Sequence, residues 1–186
     1  IDRRGFLAKA TKYAVGGVTA AMLLDQLAPN FALAHVVKPD DERLVAERIE
    51  YDSPKGFGRM GGYLVRPAQA GGKLPGILVI HENRGLNPYI EDVARRAAAE
   101  GFLALAPDGL SPAGGYPGND DDGRALQANL DQGKLRTDMV NSARFLKAHA
   151  LSNGKLGVTG FCWGGSATNF LAISLGPDLQ AGVPFY

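Results

Sequence analysis

Cysteine, tryptophan and histidine are scarce in this chain: its 186 residues hold one, one and three of them. The single cysteine, Cys162, excludes an internal disulfide framework and any multi-cysteine metal site. His35, His81 and His149 are scattered, with no HExxH or similar ligand spacing, so neither a metal nor a cofactor is expected. No histidine follows Cys162. A formal net charge of +1 gives no electrostatic case for nucleic acid. The apolar runs fall short of the ~20 residues that a membrane-crossing helix needs.

What remains is ordinary globular composition, 45% hydrophobic and 21% charged, enough for one domain with a real core. Residues 1–34 read differently. Arg3-Arg4 precedes Phe6-Leu7, an uncharged small and apolar stretch runs from Ala14 to Leu24, and Ala32-Leu33-Ala34 is a small-x-small cleavage candidate. Basic, apolar and small regions in that order are those of an export signal, and the arginine pair suggests the twin-arginine route to the bacterial periplasm. The competing reading is an amphipathic N-terminal helix on a cytoplasmic protein. With export, the folded domain spans residues 36–186, no membrane association is expected after signal removal, and His35 falls at a mobile new N-terminus. The chain begins without Met, so upstream residues are expected.

Strand and helix patterns alternate through the folded part. Glu47–Asp52 and Gly62–Arg66 predict two strands around a Gly-rich turn, Pro54–Gly61. That turn holds a literal GxGxxG, Gly56–Gly61. It precedes a strand pattern, so no helix N-terminus is offered to a pyrophosphate, and it is read as a hairpin. Ile77–Ile80, Phe102–Ala106 and Leu156–Phe161 are continuous apolar runs suited to strands buried on both faces. Ile90–Glu100, Thr137–Leu151 and Gly164–Leu175 have helical periodicity, the second with Met139 or Val140, Ala143, Leu146 and Ala150 inward. Ser111–Asp122 reads as a long polar loop, and Val183–Tyr186 begins a strand. The fold class expected is α/β, a mostly parallel sheet covered by helices on both faces, with its active site beyond the carboxyl ends of the strands.

Glu82, Asp108 and Cys162 fall in that zone. A lone cysteine in apolar surroundings is ordinarily a small core residue. The run Gly160-Phe161-Cys162-Trp163-Gly164-Gly165 after a buried strand instead describes a nucleophile elbow, a sharp turn that lifts the sulfur out of the sheet. The helix that follows favours a thiolate, and the backbone N–H of Trp163 points to an oxyanion position. The loop after the strand carrying Glu82 supplies a second donor, the N–H of Asn83. Arg84 reads either as a surface ion pair or as a holder of an anionic substrate group. Beside Glu82, His81 faces the other way as a strand neighbour and is a poor candidate base. His149 near a helix C-terminus is structural, and Asp138 is read as solvated or capping.

Gly160–Gly165, together with Ile80-His81-Glu82-Asn83-Arg84-Gly85-Leu86-Asn87 and Ala106-Pro107-Asp108, resembles the dienelactone hydrolase family of the α/β-hydrolase fold, from about residue 45 onward. The resemblance implies a Cys-His-Asp triad that hydrolyses a small-molecule ester or lactone through a covalent acyl-enzyme. Cys162 is then the nucleophile, Glu82 the group that helps to form the thiolate, and the N–H groups of Asn83 and Trp163 the oxyanion donors. The family's Asp and His lie downstream of the nucleophile, where this chain has no histidine. A C-terminally truncated domain, inactive by itself, is therefore expected. Gly109–Gly123 lacks the arginine that holds the carboxylate of a dienelactone. Two other classes fit the same residues: a non-catalytic remnant or binding fold, and a Glu–Cys enzyme acting on oxidised small molecules.

Overall fold

A computed structural model describes residues 35–186. The expected export segment, residues 1–34, lies outside the described residues. The strands are β1 (Leu44–Ser53), β2 (Gly58–Pro67), β3 (Leu74–Ile80), β4 (Leu103–Asp108), β5 (Ser152–Phe161) and β6 (Ala181–Phe185). They form one sheet in the order β1-β2-β4-β3-β5-β6. The β1–β2 and β2–β4 pairs are antiparallel, whereas β4–β3, β3–β5 and β5–β6 are parallel.

The helices are α1 (Pro88–Ala99), α2 (Asp120–Ala128), α3 (Gln132–Ala148) and α4 (Trp163–Leu175). Their apolar stripes divide over two faces of the sheet. On one face Leu135, Met139, Ala143 and Leu146 of α3, with Ala167 and Leu171 of α4, pack on Leu78, Ile80, Leu103, Leu105 and Val158. On the other, Ile90, Ala94 and Ala98 of α1 pack on Val79, Ala104 and Ala106. Successive residues of β3 and β4 thus enter opposite cores, which is why these strands read as unbroken apolar runs.

The literal GxGxxG lies on the β1–β2 hairpin, closed where Ser53 pairs with Gly58, and no helix starts there. Several boundaries differ from those predicted: β1, β2, β5 and β6 begin at Leu44, Gly58, Ser152 and Ala181, before the starts expected at Glu47, Gly62, Leu156 and Val183. The supposed loop Ser111–Asp122 contains a 3-10 turn (Ser111–Ala113) and ends inside α2. Asn119 caps α2 by accepting from the Asp122 N–H, and three aspartates fill its first turn. Helix α3 begins five residues before Thr137, capped by Asp131, and stops at Ala148, so Ala150 is exposed and not in the core.

Two polar residues are tied down by tertiary contacts that local pattern does not reveal. Asp138 is fully buried rather than solvated. It accepts from Ser53 Oγ and from the Phe57 N–H at 3.1 Å, pinning the hairpin turn to α3. His35, expected at a new N-terminus after signal removal, is placed here against Arg95. The Val37 N–H donates to Asp92 at 2.9 Å, Arg95 Nε donates to Val37 O at 2.8 Å, and the Arg95 guanidinium meets His35 Nδ1 at 3.2 Å. Asp92 and Arg95 are each 1% exposed.

Burial raises the pKa of Asp138 against the hydrogen bonds from Ser53 and Phe57 that lower it. The folded state then binds the proton more tightly than the unfolded chain, so this group's contribution to stability falls as pH rises through that interval. Asp138→Asn keeps an acceptor for Ser53 and Phe57 and removes the charge. It is expected to be more stable than the parent at pH 8, with the gap narrowing toward pH 5, as read from urea midpoints. Asp138→Ala strands both donors and is expected to cost about 2 kcal/mol.

Candidate active site

Ile80 and Gly160 are paired across the parallel strands β3 and β5. Glu82 and Cys162 each lie two residues farther on, so both leave the sheet at one level from strands about 4.8 Å apart. Both residues therefore stand at the carboxyl rim of the sheet, although 80 residues separate them in sequence. The phenol of Tyr186, just past β6, reaches the same spot: its hydroxyl donates to Glu82 Oε1 at 3.4 Å. Burial first, then the negative charges of Glu82 and Cys162, push the Tyr186 pKa up.

Cys162 is exposed and has φ +54° and ψ −110°. A non-glycine residue there stores about 1–3 kcal/mol, and such strain is kept only where neighbours over-determine it. The neighbours here are visible. The Cys162 N–H donates to Phe185 O at 3.0 Å, and its carbonyl accepts from the Ser166 N–H at 3.1 Å, fixing the first turn of α4. Gly164 lets that turn press against the end of β3, because a Cβ there would lie 2.4 Å from Ile80 O and 2.6 Å from His81 O. The elbow is thus held by close backbone contact with the strand that carries Glu82.

Among the described residues, neither the Asn83 nor the Trp163 backbone N–H donates to a protein acceptor. They lie on the two segments that carry Glu82 and Cys162. Glu82 is 8% exposed; its Oε1 takes the Tyr186 hydroxyl and lies 3.9 Å from Arg84 Nη2, while its Oε2 is buried without a partner. Glu82 is thus a nearly buried carboxylate with one oxygen that no protein donor occupies.

Arg84 points to α2. Its Nη1 donates to Asp120 Oδ2 at 2.8 Å, and Asp120 Oδ1 accepts from Tyr116 at 2.9 Å. Burial alone would raise the Asp120 pKa, but the hydrogen bonds from Arg84 and Tyr116 together leave it lowered. Burial, then the bond to Asp120, pushes the Tyr116 phenol up to about 12. Of the two readings of Arg84, the ion pair is the one with a visible partner. Asp120 and Tyr116 were not singled out from sequence, and the acidic N-cap signature Asn119–Asp122 was the available signal. Asp108 turns back on its own loop, accepting from the Leu110 N–H at 3.0 Å. Among the described residues no cluster of three metal-ligating side chains occurs.

None of the three histidines stands free at Cys162. His81 is fully buried with both ring nitrogens engaged. His149 follows α3 and its Nδ1 accepts the Leu151 N–H at 3.2 Å, just before β5 begins. The ten residues of β5 separate it from the elbow by about 30 Å. His35 is held at Arg95.

A sequence model described as the dienelactone hydrolase family matches residues 60–186. The Escherichia coli K12 protein named "Putative hydrolase fragment YghX" is 61% identical over 114 residues, which are 61% of this chain and 97% of that one. A second protein of that strain, named "Putative carboxymethylenebutenolidase", is 32% identical over 155 residues, 81% of this chain but 56% of its own length. A solved Klebsiella pneumoniae chain described as "Putative Dienelactone Hydrolase" superposes with a TM-score of 0.60 at 31% identity, covering 76% of this chain and 59% of that one. This chain thus spans a little over half the length of these last two relatives.

Proposed function

The chain belongs to the dienelactone hydrolase family, and from that premise we propose that it carries the acyl-transfer half of an ester- or lactone-cleaving site with Cys162 as nucleophile. The observation that supports this reading is the β3–β5 register, by which Glu82 and Cys162 follow the ends of neighbouring strands at one level, with Cys162 at positive φ in the elbow. The Cys162 thiol gives its proton to Glu82. The thiolate sulfur bonds to the acyl carbon, and the carbonyl electron pair moves onto oxygen, facing the N–H groups of Asn83 and Trp163. Return of that pair expels the leaving oxygen, which takes up the proton from Glu82. Water then adds to the thioester, a base accepts its proton, and the thiol is released.

That last base is not among the three histidines as they are placed, so these 186 residues alone are expected to hold the acyl group. The test is mass spectrometry after exposure to an activated ester such as p-nitrophenyl acetate. A one-to-one adduct on Cys162, formed at least about tenfold faster than on free cysteine at the same pH, supports the reading. A rate equal to that of free cysteine sinks it. Glu82→Gln is expected to slow acylation by about 10²-fold. The same change removes a buried, half-partnered charge, so its melting temperature is expected to equal or exceed the parent's.

A further inference from the structure

His81 bridges three strand ends, and its role is absent from the chemistry above. Its ring is fully buried. Nδ1 lies 2.6 Å from Glu82 O, and Nε2 accepts the Gly109 N–H at 3.0 Å. A carbonyl can only accept and an amide N–H can only donate, so the two contacts require the neutral, Nδ1-protonated ring. The ring also stacks on the Trp163 indole, with centroids 5.7 Å apart and planes 16° from parallel. The three contacts reach the loop after β3, the loop after β4 and the elbow after β5.

The first contact has a geometric consequence. Glu82 O and the Asn83 N–H belong to one planar trans peptide, so they point in opposite directions. Fixing Glu82 O on the buried ring aims the Asn83 N–H away from the core, toward the crevice. The ring's other neighbour, Trp163, carries the second free N–H. We propose that His81 is the positioning residue of the oxyanion site: as the neutral Nδ1-protonated imidazole it orients the Glu82–Asn83 peptide, and protonation at Nε2 disrupts that orientation. The inference rests on the reading of Asn83 and Trp163 as oxyanion donors.

Protonation would set a new N–H against the Gly109 N–H, two donors face to face. Burial lowers the His81 pKa, against the bond to Glu82 O and the charges of Asp108 and Glu82, which raise it. Those carboxylates come from the end of β4 and from the residue after His81. Arg84 lies beside Glu82, α3 contributes the apolar Leu135 near the ring, and α4 contributes Trp163.

Three variants separate positioning from bulk structure. His81→Asn keeps a donor at the δ position for Glu82 O, His81→Leu removes it at similar bulk, and Gly109→Ala leaves the residue intact but puts a Cβ 2.7 Å from Nε2. Two reagents are compared on folded protein at pH 7.5. p-Nitrophenyl acetate generates an oxyanion; iodoacetamide alkylates Cys162 without one. His81→Leu and Gly109→Ala are expected to lose about tenfold or more in acylation rate, with alkylation changed less than about twofold, and His81→Asn to recover most of the acylation. Equal losses with both reagents, or undiminished acylation in His81→Leu, overturn the proposal.

A second measurement needs no reaction. Trp163 is the sole tryptophan. Its emission is expected to show an acid transition, below the ordinary histidine value of about 6.5, that disappears in both His81 variants. An unchanged transition in His81→Asn and His81→Leu overturns the coupling. Should neither reagent modify Cys162 in the parent, the nucleophile reading fails, and the fluorescence arm still decides whether His81 governs the elbow.

Discussion

Cys162→Ala is expected to reduce acyl transfer by about 10³-fold or more, to the level of solvent hydrolysis on the same ester. In the proposed mechanism Glu82 prepares the sulfur and the N–H groups of Asn83 and Trp163 receive charge from the carbonyl, so without the sulfur they have nothing to assist. The same position supplies a test of strain. Cys162 has φ +54°, which glycine adopts freely and cysteine does not. Cys162→Gly is therefore expected to be as inactive as the alanine variant yet more stable than the parent, by about 1 kcal/mol once glycine's extra unfolded-state entropy is deducted. Thermal melts of parent, alanine and glycine variants check the stabilities, and adduct mass checks the chemistry. An alanine variant that still acquires acyl groups at the parent's rate removes Cys162 from the mechanism. A glycine variant less stable than the alanine one shows that the elbow stores no strain.

Gly164→Ala is expected to cost about 3 kcal/mol or more, the upper range for overpacking a close contact. The added Cβ meets backbone oxygens of Ile80 and His81 at 2.4 and 2.6 Å, and neither can rotate aside. Relief requires α4 to lift from β3, which carries Cys162 away from Glu82. Stability and acylation should fall together, measured as the urea midpoint and the adduct rate on the fraction still folded. Gly71→Ala is the control, because nothing lies within 4 Å of its added Cβ; it is expected to shift stability by less than about 0.5 kcal/mol. Equal midpoints for the two variants refute the close-packing account of the elbow.

The parts of this fold legible in sequence are those with short-range signatures. β3 and β4 are apolar at every position because each face meets a helix layer, and that periodicity is visible without coordinates. The GxGxxG at Gly56–Gly61 could be set aside because the residues after it alternate as a strand. The first three residues of α2, Asp120–Asp122, were read as the end of a polar loop rich in Gly, Pro and Asp. Those aspartates stabilise a helix N-terminus, so the composition that suggested a loop was in fact a start signal. Asp138 was misjudged for another reason. Its neighbours in sequence place it on a helix, but only packing reveals that Ser53 and Phe57, more than 80 residues away, wait for its carboxylate. His81 was set aside as a base on backbone alternation, yet its two ring contacts, to Glu82 O and to Gly109, follow from loop paths that no local pattern encodes.

Amino-acid order alone determined the alternation of strands and helices, the elbow at Cys162 and the candidate carboxylate at Glu82, because each is written within a few consecutive residues. Tertiary structure decided that these groups lie at the ends of neighbouring strands, that Arg84 turns to Asp120, and that a buried imidazole meets the peptide between Glu82 and Asn83. Parallel strands meet only through long crossovers, so which residues face each other across β3 and β5 is set by how the whole sheet packs, and no stretch of chain near either residue carries that information.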